Sequence, residues 1–361
     1  MIPRAPSISL ILVAVISTVG QPQLAQGSPR WSPTGALNFA RAYSPGVTLL
    51  DGRILVAGGI GRDGNPVATA EIFDPATSTW SPTGSMLIAR TQHTSTLLAD
   101  GRVFVVGGLD RFGNKRTECE LYDPNTGTWT ATTSFYIGIA QHPAVRMLDG
   151  LVLVVPSLGS PETYDPTTAT WSPVGCCSFG YTEQTLTLLA DGRVIMVGGG
   201  DDGITFNYVF IYNPAIKNWA DGHNLTVSRQ GHTATLLPDG RLLVAGGQSG
   251  GVSLSSAEVY DPAINQWSRG GRLGAARAYH SATQLPNGDV VVVGGASGGD
   301  NVANAEIYYV ATNSWERAGI TPPIAHHTAG LLPGGQVLAI GGLRRGFAPI
   351  RDCEIGPPAK Q

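Results

Sequence analysis

Apolar residues in this chain fall in short, β-branched runs that come in pairs, such as Thr94 to Leu98 and Val103 to Val106 on either side of Asp100-Gly101-Arg102. An Asp-Gly pair tolerates positive φ and closes a tight hairpin, so each pair of runs predicts two antiparallel strands. A double glycine follows, as at Gly107-Gly108, where a close backbone approach or an unusual φ leaves no room for a Cβ. The next run, Glu120-Leu121-Tyr122-Asp123-Pro124, predicts a third strand ending in a turn, and the stretch around Trp129 a short fourth. Four antiparallel strands in sequence order make one propeller blade.

The unit recurs. The seven tryptophans, Trp31, Trp80, Trp129, Trp171, Trp219, Trp267 and Trp315, are successively 49, 49, 42, 48, 48 and 48 residues apart, and a fixed period of this length marks a repeat architecture. Six units run from a first strand to a tryptophan. A seventh has its hairpin at Gly334-Gly335, its double glycine at Gly341-Gly342 and its third strand near Ile350 to Ile355, but no tryptophan follows. The missing strand lies at the other end, where Arg30-Trp31-Ser32-Pro33-Thr34-Gly35 is an orphan fourth strand that completes the last blade. The expectation is an all-β, seven-bladed propeller over residues 28–361, closed by its N-terminal strand and without a free sheet edge.

Composition narrows the classes of function. The 361 residues include 48 Gly and 25 Pro, which disfavours long helices. Charged residues make up 14% and the net charge is -3, so no basic surface for nucleic acid is implied. The apolar run from Ile8 to Val19 follows Arg4, precedes Ala25-Gln26-Gly27 and is too short to span a bilayer. Residues 1–27 therefore read as a cleaved export signal, and the expected product is a secreted, extracellular or periplasmic monomer with no membrane span. Four cysteines are too few for a disulfide framework. Cys119 and Cys353 occupy alanine positions of the repeat and read as small buried hydrophobes. The adjacent Cys176-Cys177 reads either as a strained vicinal disulfide, a platform for a ligand, or as two free thiols.

The double glycine, the aromatic of Glu-x-Tyr-Asp-Pro and the closing Trp resemble the kelch repeat from Arg30 to Ile355. Kelch propellers range from intracellular adaptors to extracellular enzymes and lectin-like proteins, so the resemblance implies the fold and leaves function to be argued from a site. The Asp-Gly and Asp-Pro turns repeat almost unchanged, whereas the segments after each double glycine vary. In a propeller these segments and the blade-to-blade loops share one face, around the mouth of the central channel. That face is the expected surface for a protein or glycan ligand. Arg62, Arg111, Lys115, Asp201, Asp202 and Arg344, with Cys176 and Cys177, are its candidate binding residues.

His93, His142, His232, His280 and His327 enter the innermost strands at one level, with Ser44 and Gln184 taking the position in the other two blades. The recurrence reads as packing between blades; His232, His280 and His327, from consecutive blades, are the candidates for a metal. Arg41, Arg90, Arg229 and Arg277 recur opposite third-strand glutamates and read as structural ion pairs. Blade 4 has Tyr181, Gln184 and Phe210 in place of Arg, His and Glu, an apolar aromatic patch. Arg277-Ala278-Tyr279-His280-Ser281 resembles the copper-ligand segment of copper-radical oxidases of the galactose oxidase type. That resemblance implies copper at Tyr279 and His280, together with a second histidine from a further domain and a tyrosine cross-linked to cysteine. No position of this chain matches either of the last two. Phosphate-loop, zinc-spaced cysteine and nucleophile-elbow motifs are absent from the sequence. The resulting expectation is a binding module without a cofactor, the alternative being a copper oxidase or another carbohydrate-active enzyme.

Overall fold

A computed structural model describes residues 31–175, 179–345 and 348–356. The described residues contain no helix and form seven antiparallel four-stranded sheets arranged as the blades of a propeller. No helix among them is long and apolar enough to cross a membrane. The proposed export signal at 1–27 and the Cys176-Cys177 pair lie outside the described residues.

Blade 1 shows the common plan, with strands Gly46–Thr48, Ile54–Ala57, Ala70–Asp74 and Thr79–Thr83 in that order from the centre outwards. The second strand is wholly buried because sheets cover both of its faces, and this explains its unbroken apolar run. In blade 7 the order is Thr328–Leu331, Val337–Ile340, Cys353–Ile355 and then Ser32–Pro33 from the other end of the chain. Ser32 pairs with Ile355, Pro33 with Glu354, and Trp31 is buried against blades 6 and 7. The ring is thus closed by the N-terminal strand.

The hydrophobic clusters lie between blades. Leu55, Ala57 and Ile72 of blade 1, for example, pack with Val103, Val105, Tyr122 and Trp129 of blade 2. Each blade therefore completes its core only against its neighbours. The double glycines permit this approach. Gly58 has φ +67, and a Cβ there would sit 2.7 Å from the Arg90 carbonyl and from the His93 ring of the next blade.

The Asp-Gly hairpins close tightly, as the sequence implies. Leu49 N–H donates to Arg53 O and Gly52 N–H to Leu49 O, while Gly52 alone takes positive φ. This is a type I turn closed by a glycine bulge, and Asp51 supports it by accepting from the Arg53 amide and guanidinium. Two-residue turns occur elsewhere. In blades 4, 5 and 6 the segments after the double glycine form small ribbons, Gly200–Asp201 with Ile204–Thr205, Gln248–Ser249 with Val252–Ser253, and Ala296–Ser297 with Asp300–Asn301. Their tips, Asp202-Gly203, Gly250-Gly251 and Gly298-Gly299, have positive φ at both positions, as a type I′ turn requires.

Cys119 and Cys353 are free, buried thiols, and burial pushes each up to about 12. Both should resist iodoacetamide in the folded protein and react once it is denatured. Mass spectrometry of peptides alkylated before and after denaturation checks this.

Candidate ligand site at the channel mouth

Buried ion pairs fix the geometry of the variable face. Arg41 pairs with Glu71 at 2.8 Å, Arg90 with Glu120 at 2.7 Å, Arg229 with Glu258 at 2.8 Å, and Arg277 with Glu306. Each arginine also donates to the first double-glycine carbonyl of its blade, as from Arg90 to Gly107 O at 2.8 Å. Each glutamate accepts two amides from the loop entering the blade, as from Leu87 and Ile88 to Glu120. The loop entering each blade is thereby locked to the blade's second and third strands. Blade 4 replaces this set with an aromatic cluster in which Phe179 meets Phe210 at 4.8 Å and Tyr181 meets Phe206 at 4.9 Å.

The histidines join neighbouring blades. Nε2 of His142, His232, His280 and His327 shares a hydrogen bond with Thr94, Thr185, Thr233 and Ser281 of the preceding blade, at 3.1, 3.1, 2.9 and 2.8 Å. Burial drives His93, His142, His232 and His327 down to about 3, and His280 also well below its ordinary value. In the unfolded chain each returns to about 6.5. Unfolding therefore takes up a proton per histidine between about pH 6.5 and 3. Stability should fall as the pH drops below about 6.5, by up to about 1.4 kcal/mol per pH unit for each histidine. Melting curves of wild type and His232→Gln between neutral and mildly acidic pH test this. The variant copies the residue that blade 4 carries naturally and should show a shallower decline.

Immediately before this level, every blade places one residue in the left-handed region. These are Tyr43 (φ 53), Gln92 (56), Gln141 (52), Glu183 (60), Gly231 (60), Tyr279 (55) and His326 (52). Glycine would take this conformation without strain, yet six of the seven positions carry a side chain at a local cost. Their backbones are linked around the channel at six of the seven steps: Gln92 N–H donates to Tyr43 O, Gln141 to Gln92, Glu183 to Gln141, Tyr279 to Gly231, His326 to Tyr279 and Tyr43 to His326. The residues line a cavity of about 390 Å³ together with Ser44, Gln184 and the buried histidines. Bridges such as Ala42 to Ile60 and Gln230 to Gln248 place this mouth on the face of the variable segments.

Three consecutive blades supply an aromatic stack. The His326 ring lies 4.2 Å from Tyr43 and 4.3 Å from Tyr279. Tyr279 rests over Gly231, where a Cβ would meet its ring at 2.7 Å. Its hydroxyl donates to Glu183 Oε2 at 3.0 Å and accepts from Gln248 Nε2 at 2.8 Å. Burial raises Glu183, opposed by this hydrogen bond, and raises Tyr279. Burial also lowers His326 to about 4, leaving it uncharged at neutral pH.

The charged residues singled out from the sequence stand outside this cavity. Arg62, Asp201 and Asp202 are exposed, the two aspartates at a ribbon tip. Arg111 lies over the Phe112 ring at 4.6 Å, beside Asp63 on an outer cleft. Lys115 reaches Ser157 of blade 3, and Arg344 pairs with Asp352. His232, Tyr279, His280 and His327 do line the mouth. Tyr43, Gln92, Gln141, Glu183 and His326 were missed, although aligning the repeats on the histidine exposes them as the preceding residue.

The family model described as "Kelch motif" matches residues 41–87, 90–135 and 231–274, within blades 1, 2 and 5. The chain is a seven-bladed propeller built with kelch motifs. Among solved structures, one described as a novel fungal alcohol oxidase with catalytic diversity among the AA5 family, in complex with copper, is similar to this kelch propeller with a TM-score of 0.75. The match covers 92% of this chain and 77% of that one, at 18% sequence identity, so the likeness is one of fold. A search of curated proteins finds no match. Nε2 of His232, His280 and His327 each engages a separate hydroxyl, Tyr279 is held by Glu183 and Gln248, and no group of three His, Cys, Asp or Glu among the described residues is arranged to hold a metal.

Proposed function

We propose that this kelch propeller is a binding module that takes a carbohydrate at the mouth of its central channel. The observation that carries the reading is the ring of side chains held in the left-handed region around a cavity of about 390 Å³, within the range of small-ligand sites. Gln92, Gln141 and Gln184 offer amides that can donate and accept, as neighbouring sugar hydroxyls require. The stack of Tyr43, His326 and Tyr279 offers an apolar wall for the C–H face of a pyranose. The export read from residues 1–27 would put this module where extracellular glycans are met.

A glycan array probed with the purified protein tests the proposal. Gln141→Ala and Tyr43→Ala should each weaken the signal about tenfold or more, the typical cost of a lost hydrogen bond or aromatic contact, and Arg111→Ala should leave it unchanged. Loss confined to Arg111→Ala would move the site to the rim. The exposed apolar tips Phe112, Ile204 and Val252 support a second reading, in which the same face docks a protein.

A further inference from the structure

We propose that the glycan bound at the channel mouth carries an unacetylated primary amine, and that Glu183 recognises its ammonium group. This rests on the carbohydrate reading above and names the sugar class. Among the described residues, Glu183 is the sole carboxylate lining the cavity, and no lysine or arginine lines it. The surrounding histidines are uncharged at neutral pH. Tyr279 engages Oε2 and orients the carboxylate, while no salt bridge to Glu183 forms among the described residues. A partly desolvated carboxylate without a counter-charge favours a cationic guest, and its burial makes the pairing stronger than at the surface.

A second observation is independent of that charge. Gln184 is 5% exposed and lines the cavity, yet both its Nε2 and its Oε1 lack a partner. The cause is Pro143. In four other pairs a histidine meets a hydroxyl of the preceding blade, as His232 meets Thr185, whereas the blades preceding His93 and Gln184 offer proline at the matching position, Pro45 and Pro143, and both side chains are left without that partner. A buried amide left open beside a carboxylate is a costly arrangement unless something fills it. An ammonium flanked by a hydroxyl satisfies both, donating to Glu183 and exchanging hydrogen bonds with Gln184. The amides and aromatic wall suit a hydroxylated ring better than the aliphatic stem of a lysine. The ligand chemistry is therefore that of a 2-amino sugar.

Calorimetric titration with the trimers of glucosamine, N-acetylglucosamine and glucose tests the proposal. The amine should bind about tenfold or more tightly than the other two, and Glu183→Gln, which keeps an acceptor for Tyr279, should abolish that preference while retaining weak binding of all three. Equal binding of the three trimers by wild type, or a preference for the N-acetyl form, would leave the carbohydrate reading standing and overturn the ammonium assignment. Retention of the amine preference by Glu183→Gln would remove Glu183 from it. No binding of any trimer would overturn both.

Discussion

Replacing Glu120 by alanine is expected to destabilise the propeller by about 3–5 kcal/mol, the loss typical when one partner of a buried ion pair is removed. The carboxylate is 1% exposed, as is usual in this set, and Arg90 opposite is fully buried. Truncation leaves that guanidinium charged without its counter-ion. It also frees the Leu87 and Ile88 amides, so the loop entering blade 2 loses its anchor. Glu162 of blade 3 provides the contrast. Its blade has Ile139 where blades 1, 2, 5 and 6 have arginine, and burial alone raises its carboxyl, with no arginine to oppose it. Glu162→Gln should therefore cost less than about 1 kcal/mol, as for a change that removes no charge pair. Denaturant unfolding of both variants, with the midpoint shifting at constant slope, checks the difference.

The second large effect concerns ring closure. Trp31→Ala should cost about 3–5 kcal/mol, as for deletion of a large buried aromatic side chain, because Trp31 packs with Val291, Ile307 and Val337 across blades 6 and 7. Deleting residues 30–35 should go further. It strips the outer strand from Cys353–Ile355 and exposes a row of unpaired amides and carbonyls, a template for association with other chains. A lower melting temperature together with new oligomers on size exclusion is the expected result. An unchanged melting temperature would contradict closure by the N-terminal strand.

Blade number, strand order and the closing strand were legible because one pattern is written seven times, and an error in one copy is corrected by the others. The same repetition revealed the Arg–Glu pairs and the loss of that set in blade 4, where Phe210 and Tyr181 now pack in an aromatic cluster. The site was less legible for a physical reason. Left-handed backbone is ordinarily announced by glycine, but here Tyr43, Gln92, Gln141, Glu183, Tyr279 and His326 hold it, and the residue type changes from blade to blade. Charge drew attention to the loop tips instead, where Asp202 and Arg62 are solvated and do not converge. The empty bonding capacity of Gln184 depends on a proline in another blade, a relation visible only once the blades are side by side.

The central claim is that the channel mouth, and not the rim, receives the ligand. Nuclear magnetic resonance of protein labelled in its tyrosine and histidine rings, titrated with glucosamine trimer, tests it most directly. The account expects the ring signals of Tyr43, Tyr279 and His326 to shift together and saturably, while those of Tyr260 and Tyr308, buried beside their tryptophans, stay fixed. Binding detected by calorimetry with Tyr43, Tyr279 and His326 unmoved would contradict it.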